Sequence, residues 1–252
     1  MPYRIDVRNA GGDALDRLID IGALDVDASG DDGVVALMPD QVTPAEVAQA
    51  LGVQDVSVSP ATGRDDGSVW VLKLRAVRVR GRTLELLDAA AFGTGLHPTT
   101  RLCLEALEAS VEMAVPDAVL DVGTGSGVLA LAALMLGVPH AMGLDLDDEA
   151  LRIAAENAHV NGLSDRLSLT KGGPESVTAA WPLVVANILP ATLIEMAPTL
   201  VRRVAHHGEL VLSGIPTGVD AEVDRAYRRL GMHLVGRTSR SGWVALILRA
   251  SW

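Results

Sequence analysis

Apolar and polar positions along this chain change rhythm twice, near residue 60 and again near residue 118. Over residues 3–7 they alternate with the two-residue period of a strand. Over 13–21, Leu15, Leu18 and Ile19 recur at helical spacing. Residues 24–28 and 34–38 read as strands, the second entered through the turn-like Asp31-Asp32-Gly33. Thr43-Pro44-Ala45-Glu46 has the form of a helix start: a capping hydroxyl, a proline at the first helical position and a capping-box acid. That helix runs to Leu51, where Gly52 stops it, and 53–58 is strand-like again. The order β-α-β-β-α-β predicts a ferredoxin-like split unit, an arrangement tied to no single function.

Residues 60–67 are polar and rich in Gly, Asp and Thr, the composition of a linker. Residues 69–87 read as two extended stretches around a turn at Gly81. Lys73 and Arg75 alternate there, as do Arg78, Arg80 and Arg82, which places each set on one strand face. Such a face is either simply solvated or a basic contact surface. From residue 118 strands and helices alternate strictly. Strands are predicted at 118–122, 140–146, 167–171, 183–188 and 209–213, and helices at 128–136, 148–161, 192–204 and 219–230. A strand pair, 233–238 and 243–249, closes the chain. Alternating β and α segments predict an α/β fold, a doubly wound parallel sheet with ligands at the carboxyl ends of its strands. The closing pair adds an antiparallel strand at one edge. The predicted organisation is a small unit at 1–60, a linker with extended strands at 61–90, and a large α/β domain at 91–252.

Composition narrows the functional classes. The chain has 252 residues, 49% of them apolar, enough for a sizeable core. It carries 32 acidic and 21 basic side chains, a formal net charge of −11. That balance argues against sequence-independent nucleic-acid binding and against a polybasic membrane-surface role. It suits small molecules or a basic protein partner. The charge is unevenly placed. Residues 1–68 hold 13 acidic and 4 basic side chains, a net of −9, and the remainder hold 19 and 17, a net of −2. A single cysteine, Cys103, excludes a disulfide framework and a Cys-rich zinc site. The run 128–138 is apolar but too short to span a bilayer. With no apolar signal core at its start, the chain reads as soluble and cytoplasmic.

The chemistry concentrates in four segments. In Asp121-Val122-Gly123-Thr124-Gly125-Ser126-Gly127, the glycines sit at a strand-to-helix junction, where they permit a sharp turn and close approach of a ligand. A dinucleotide fingerprint would be Gly-x-Gly-x-x-Gly. Here Gly123, Gly125 and Gly127 are spaced Gly-x-Gly-x-Gly, with Asp121 two residues before the first. An acid there would repel a pyrophosphate and suits a ligand bearing an ammonium group, such as the methionine part of S-adenosyl-L-methionine. The second segment ends the next strand. Asp145 lies 22 residues after Gly123, placed to accept from both ribose hydroxyls of an adenosine. Asp147 reads as the cap of the following helix. The third is Phe92-Gly93-Thr94-Gly95-Leu96-His97-Pro98-Thr99-Thr100, ahead of an amphipathic helix. The hydroxyls and backbone N–H groups of Thr99 and Thr100 would suit a carboxylate in the first helical turn. Gly93 and Gly95 could hinge a lid, and His97 reads as a positioning residue. The fourth, Asn187-Ile188-Leu189-Pro190, offers a carboxamide at the switch point without the aromatic ring that would hold a flat acceptor. That favours an sp³ amine.

Taken together, the 92–100 segment, the 121–127 loop, Asn187-Ile188-Leu189 and the closing Gly242-Trp243-Val244-Ala245-Leu246 resemble the bacterial ribosomal protein L-eleven methyltransferases. The resemblance is strong over 90–252 and architectural before that. It implies a seven-stranded class I methyltransferase sheet that binds S-adenosyl-L-methionine. Thr100, Gly123, Asp145 and Asn187 match the family's cofactor positions, with Phe92, Asp121, Gly125 and Gly127 beside them. The resemblance implies methyl transfer to lysine side chains or an N-terminal α-amine of a basic large-subunit ribosomal protein, recognised by the small N-terminal domain. Asn187 is the candidate catalytic residue, no metal is implied, and the expected state is a monomer. Asp88-Ala89-Ala90-Ala91 departs from the family's usual Pro-Gly-containing approach, and the linker is shorter. A different basic protein or small amine as acceptor, a nicotinamide-dependent oxidoreductase, and a non-catalytic binding module are the other readings.

Overall fold

The computed structural model describes residues 3–8, 13–23, 25–29, 33–39, 42–54, 56–60, 74–87 and 97–252. The chain divides into two compact units, Met1–Val71 and Leu72–Trp252. Phe92 and the rest of 88–96 lie outside the described residues, as do residues 61–73, which include Lys73 and the polar stretch after residue 60.

The first unit runs β1 (Tyr3–Val7), α1 (Ala14–Asp20), β2 (Asp25–Ser29), β3 (Gly33–Met38), α2 (Pro44–Leu51) and β4 (Ser57–Pro60). Its strands form one antiparallel sheet in the order β2-β3-β1-β4. The start of α2 is a closed capping box. The Glu46 N–H donates to Thr43 Oγ1 (3.3 Å), and the Thr43 N–H donates to Glu46 Oε2 (2.7 Å). Gly52 ends the helix in the left-handed region at φ 69°. Both helices lay apolar stripes on one face of the sheet, burying Leu18, Val47 and Leu51 against Ile5 and Met38.

The second unit opens with a hairpin, β5 (Leu74–Val79) and β6 (Arg82–Leu87), followed by α3 (Pro98–Met113). The alternating part is β7 (Ala118–Val122), α4 (Val128–Leu136), β8 (His140–Asp145), α5 (Asp148–Val160), β9 (Leu167–Lys171), β10 (Trp181–Asn187), α6 (Pro190–Val201), β11 (Val204–Pro216) and α7 (Asp220–Arg228). The closing strands are β12 (Met232–Arg240) and β13 (Trp243–Ala250). The seven-stranded sheet has the order β12-β13-β11-β10-β7-β8-β9. Pairings from β9 across to β11 are parallel, and β13 joins antiparallel to both β11 and β12. The doubly wound sheet expected from the alternating pattern is present. The two-strand closure inserts β13 between β11 and β12.

Side-chain alternation divides the sheet between two cores. Val119, Val185 and Val211 face α3, α4 and the hairpin, while Leu120, Val184, Leu210 and Leu212 face α6 and α7. Helix α4 is buried over 128–134 because a second layer covers it. Val77, Val79, Leu84 and Leu86 of the hairpin share its core. The apolar run at 128–138 is thus a helix packed on two sides. Arg78, Arg80 and Arg82 lie on the hairpin's exposed face. Arg82 Nη1 donates to the Met135 carbonyl (2.7 Å), and Arg80 pairs with Glu112 (3.0 Å). No described helix is long and apolar enough to cross a membrane.

Candidate active site at the carboxyl ends of the strands

Strand order reverses beside β7: the chain runs outward through β8 and β9, then returns to β10 on the other side. At such a switch point the loops after neighbouring strands splay apart and leave a crevice. A cavity of about 500 Å³ lies there, lined by Gly123, Gly125, Asp145, Asn187, Trp243 and neighbouring residues.

The loop after β7 is built by backbone constraint. Gly123, Gly125 and Gly127 all have positive φ (74°, 53° and 81°). The N–H groups of Gly123 and Thr124 both donate to the Leu144 carbonyl (2.8 and 2.9 Å), folding the loop onto the end of β8. The Gly125 N–H donates to Asp145 Oδ2 (2.8 Å), and the Asp147 N–H donates to Asp145 Oδ1 (3.1 Å). Asp145 is thereby held at the cavity wall, and each oxygen keeps a lone pair for a ligand hydroxyl. Asp147 is the α5 cap, its side chain accepting from Glu149 N–H (2.9 Å).

Of the residues singled out in the sequence, His97, Thr99, Gly123, Gly125, Asp145 and Asn187 line the cavity. Three others do not. Gly127 is a packing glycine, since a Cβ there would lie 3.1 Å from Ala154 Cβ of α5. Thr100 is fully buried, its Oγ1 accepting from Asn187 Nδ2 (3.5 Å). Asp121 is only 1% exposed beneath the loop, with Oδ2 accepting from Thr124 Oγ1 (2.7 Å) and the Ala130 N–H (3.2 Å). Its Oδ1 is buried without a hydrogen-bond partner. Burial pushes the Asp121 carboxyl up to about 7, with the Asp145 charge adding, against the two hydrogen bonds that pull it down. The carboxylate site imagined at Thr99 and Thr100 is also altered. His97 caps α3, its Nδ1 accepting from the Thr99 N–H (3.3 Å) and lying 2.7 Å from Thr99 Oγ1. His97 packs edge-on to Trp243, with ring centroids 5.1 Å apart.

Asn187 ends β10 at 8% exposure, and its Oδ1 makes no hydrogen bond within the protein. A buried amide oxygen left unpaired costs about 1–3 kcal/mol. A partner supplied by a ligand would remove that cost.

The structure adds residues that motif reading passed over. Gly172 and Gly173 follow β9, Gly214 lies within β11, and these line the same cavity with Leu146; Leu189 and Trp243, noted above only as parts of their motifs, line it too. The glycines carried a signal, each standing where a parallel strand was predicted to end. Leu146 and Leu189 are 74% and 71% exposed, so this polar-spaced site has an apolar wall open to solvent.

The family model described as ribosomal protein L11 methyltransferase (PrmA) matches residues 78–251. The chain belongs to this family. It is 44% identical over 168 residues to the ribosomal protein L11 methyltransferase of Geobacter sulfurreducens, covering 67% of this chain and 54% of that protein. The relative from Pelobacter propionicus is 32% identical over 225 residues, 81% of this chain and 73% of that one. Among solved structures, the ribosomal protein L11 methylase of Lactobacillus delbrueckii subsp. bulgaricus superposes with a TM-score of 0.58 at 32% identity. That match covers 62% of this chain and 81% of the other. In alignments with Geobacter and Citrifermentans relatives the chain spans about half the length of the L11 methyltransferases it matches. Every described residue lining the cavity falls within the stretch matched by the L11 methyltransferase model. The acidic first unit falls outside it.

Proposed function

We propose that this chain is an S-adenosyl-L-methionine-dependent N-methyltransferase. Its acceptors are amines, lysine side chains or an N-terminal α-amine, of a large-subunit ribosomal protein. The observation that carries the reading is Asn187: a buried carboxamide at the switch point, lining the cavity, with an oxygen that has no internal partner. The cradle fits the cofactor. A Cβ on Gly123 would lie 2.5 Å from Ile188 Cγ2, so the loop passes this close to Ile188, beside the cavity, only as glycine. Asp145 would accept from the ribose hydroxyls, and exposed Leu146 beside it offers an apolar platform for a purine. When bound, the cofactor supplies an electrophilic methyl group on a sulfonium.

The chain's own part is to orient and desolvate. A lysine amine has a pKa of about 10.4 and an α-amine about 8, so the acceptor must arrive at, or reach, its neutral form. Ile188, Leu189, Met196 and Trp243 surround Asn187 with apolar surface. Such a lining disfavours an ammonium and releases its proton to water. Asn187 Oδ1 then accepts an N–H of the neutral amine and aims its lone pair. Positioning of this kind accounts for large rate effects without a dedicated base. The first unit, with most of the chain's net negative charge, would recognise the basic substrate.

Purified protein incubated with labelled S-adenosylmethionine and the ribosomal protein should give labelled product, with the modified amines located by mass spectrometry. Asn187→Ala should lower turnover about 100-fold or more, the scale of lost positioning. Unchanged turnover would sink the assignment. Label on another protein or a small amine in a ribosome-free lysate, with none on the ribosomal protein, would replace the acceptor and keep the chemistry.

A further inference from the structure

The loop that carries Asn187 is gripped from two sides. Strand β10 pairs with β11 in register up to Asn187 opposite Ser213. The pairing of β11 with β13 slips between Leu212 and Ile215, so Gly214 sits at a bulge, with φ 81°. A Cβ on Gly214 would lie 2.3 Å from the Ile188 carbonyl oxygen, 2.9 Å from its carbon and 3.0 Å from the Ile188 nitrogen. These are backbone atoms of one peptide segment, and no rotamer change can clear them. On the other side, Ile188 Cγ2 occupies the space a Gly123 Cβ would need, 2.5 Å away. Ile188 is therefore wedged between a glycine of the loop after β7 and a glycine of the β11 bulge. Asn187, immediately before it, is further tied through Nδ2 to Thr100 Oγ1 of α3 (3.5 Å).

We infer that Gly214 is a positioning residue for methyl transfer, which acts through the Ile188 peptide to hold the Asn187 carboxamide at the angle the acceptor amine requires. The inference rests on the reading of Asn187 given above. Any side chain at Gly214 must push the Ile188 peptide away and rotate Asn187 with it. Displacement of a catalytic group by about 1 Å can cost about 100-fold in rate. Asp145, the expected partner of the ribose, ends β8 on the far side of β7 from that segment.

The test compares Gly214→Ala with Gly218→Ala, where φ is also positive (100°) but a Cβ meets nothing within 4 Å. Gly218→Ala therefore carries the conformational strain without the collision. Turnover of the ribosomal protein, calorimetric affinity for S-adenosylhomocysteine and the thermal midpoint are measured for each. Gly214→Ala should lose roughly 30- to 100-fold in kcat, with S-adenosylhomocysteine affinity within about threefold of the parent. Gly218→Ala should keep kcat. In an Asn187→Ala background, Gly214→Ala should cost nothing further, as two changes acting on one group are not additive. If Gly214→Ala fails to fold, Ile188→Ala loosens the same wedge and should lower kcat severalfold, with a smaller effect in the Asn187→Ala background. Parent-like kcat in both Gly214→Ala and Ile188→Ala, or an equal loss of cofactor affinity and kcat, would overturn the inference. Full turnover in Asn187→Ala overturns the reading beneath it, and this inference with it. Lost turnover there with full turnover in Gly214→Ala removes the inference alone.

Discussion

At the scale of single residues, Asp121 shows how one motif position serves two ends. Its spacing from Gly123 suggested a group facing a ligand, yet the carboxyl lies under the loop and organises it through Thr124 and Ala130. A carboxyl raised from 3.8 to about 7 by burial has a sign that can be worked out. Between those values the folded protein binds more protons than the unfolded chain, so stability falls as pH rises through that window. The contribution is whole below about pH 4 and gone above about pH 7. Asp121→Asn keeps an acceptor for Thr124 and cannot ionise. In denaturant titrations of the ligand-free protein, the variant should gain on the parent from pH 4 to pH 8, by up to about 4 kcal/mol at 1.36 kcal/mol per unit. A pH-independent difference would refute this account. Asn157 is a second buried polar group and was invisible as a motif. It accepts from the Leu87 N–H (2.7 Å) and donates to the Ser126 carbonyl (2.8 Å), joining the hairpin to the glycine loop. Its local sequence reads only as an interior helix position, because both partners come from other elements.

At the scale of elements, the hairpin and α4 explain each other. A helix apolar all round must be covered on every side or expose its surface to water. The sheet covers one side of α4, and β5 and β6 cover another with Val77, Val79, Leu84 and Leu86. Asn161 clips the far end of the hairpin to α5, accepting from the Glu85 N–H (3.0 Å) and donating to the Glu85 carbonyl (2.6 Å). The hairpin is therefore a structural layer of the larger unit. Truncating Leu84, which is fully buried, should cost about 2–5 kcal/mol of unfolding free energy, the usual range for a buried leucine. Arg78→Ala on the exposed face should stay within about 0.5 kcal/mol. Equal effects of the two in chemical denaturation would show that the hairpin is not part of the cooperative core. Alternation in 74–87 was legible as strands. That the strands lie over α4 was not, since period alone names a buried face without naming what covers it.

At the scale of the whole molecule, charge and fold divide between the units. Residues 1–68 carry a net of −9, and Asp6, Asp13, Asp20 and Glu46 are exposed in the first unit. If that charge draws a lysine-bearing substrate, methylation at sub-saturating substrate should fall several-fold between about 20 and 200 mM salt, while kcat at saturation holds. A flat salt profile would remove the steering role. The sequence by itself determined the alternation of strands and helices, the doubly wound sheet, the family, and the glycines and Asp145 at the ends of β7 and β8. These are records of local constraint: side-chain period, caps, and backbone angles that only glycine adopts freely. Tertiary structure alone decided that Gly127 packs on α5, that Thr100 faces Asn187, and that Ile188 is wedged between Gly123 and Gly214. Each joins positions far apart in the chain. Such contacts follow from which strands become neighbours in the sheet, a global packing outcome that no local window of sequence encodes.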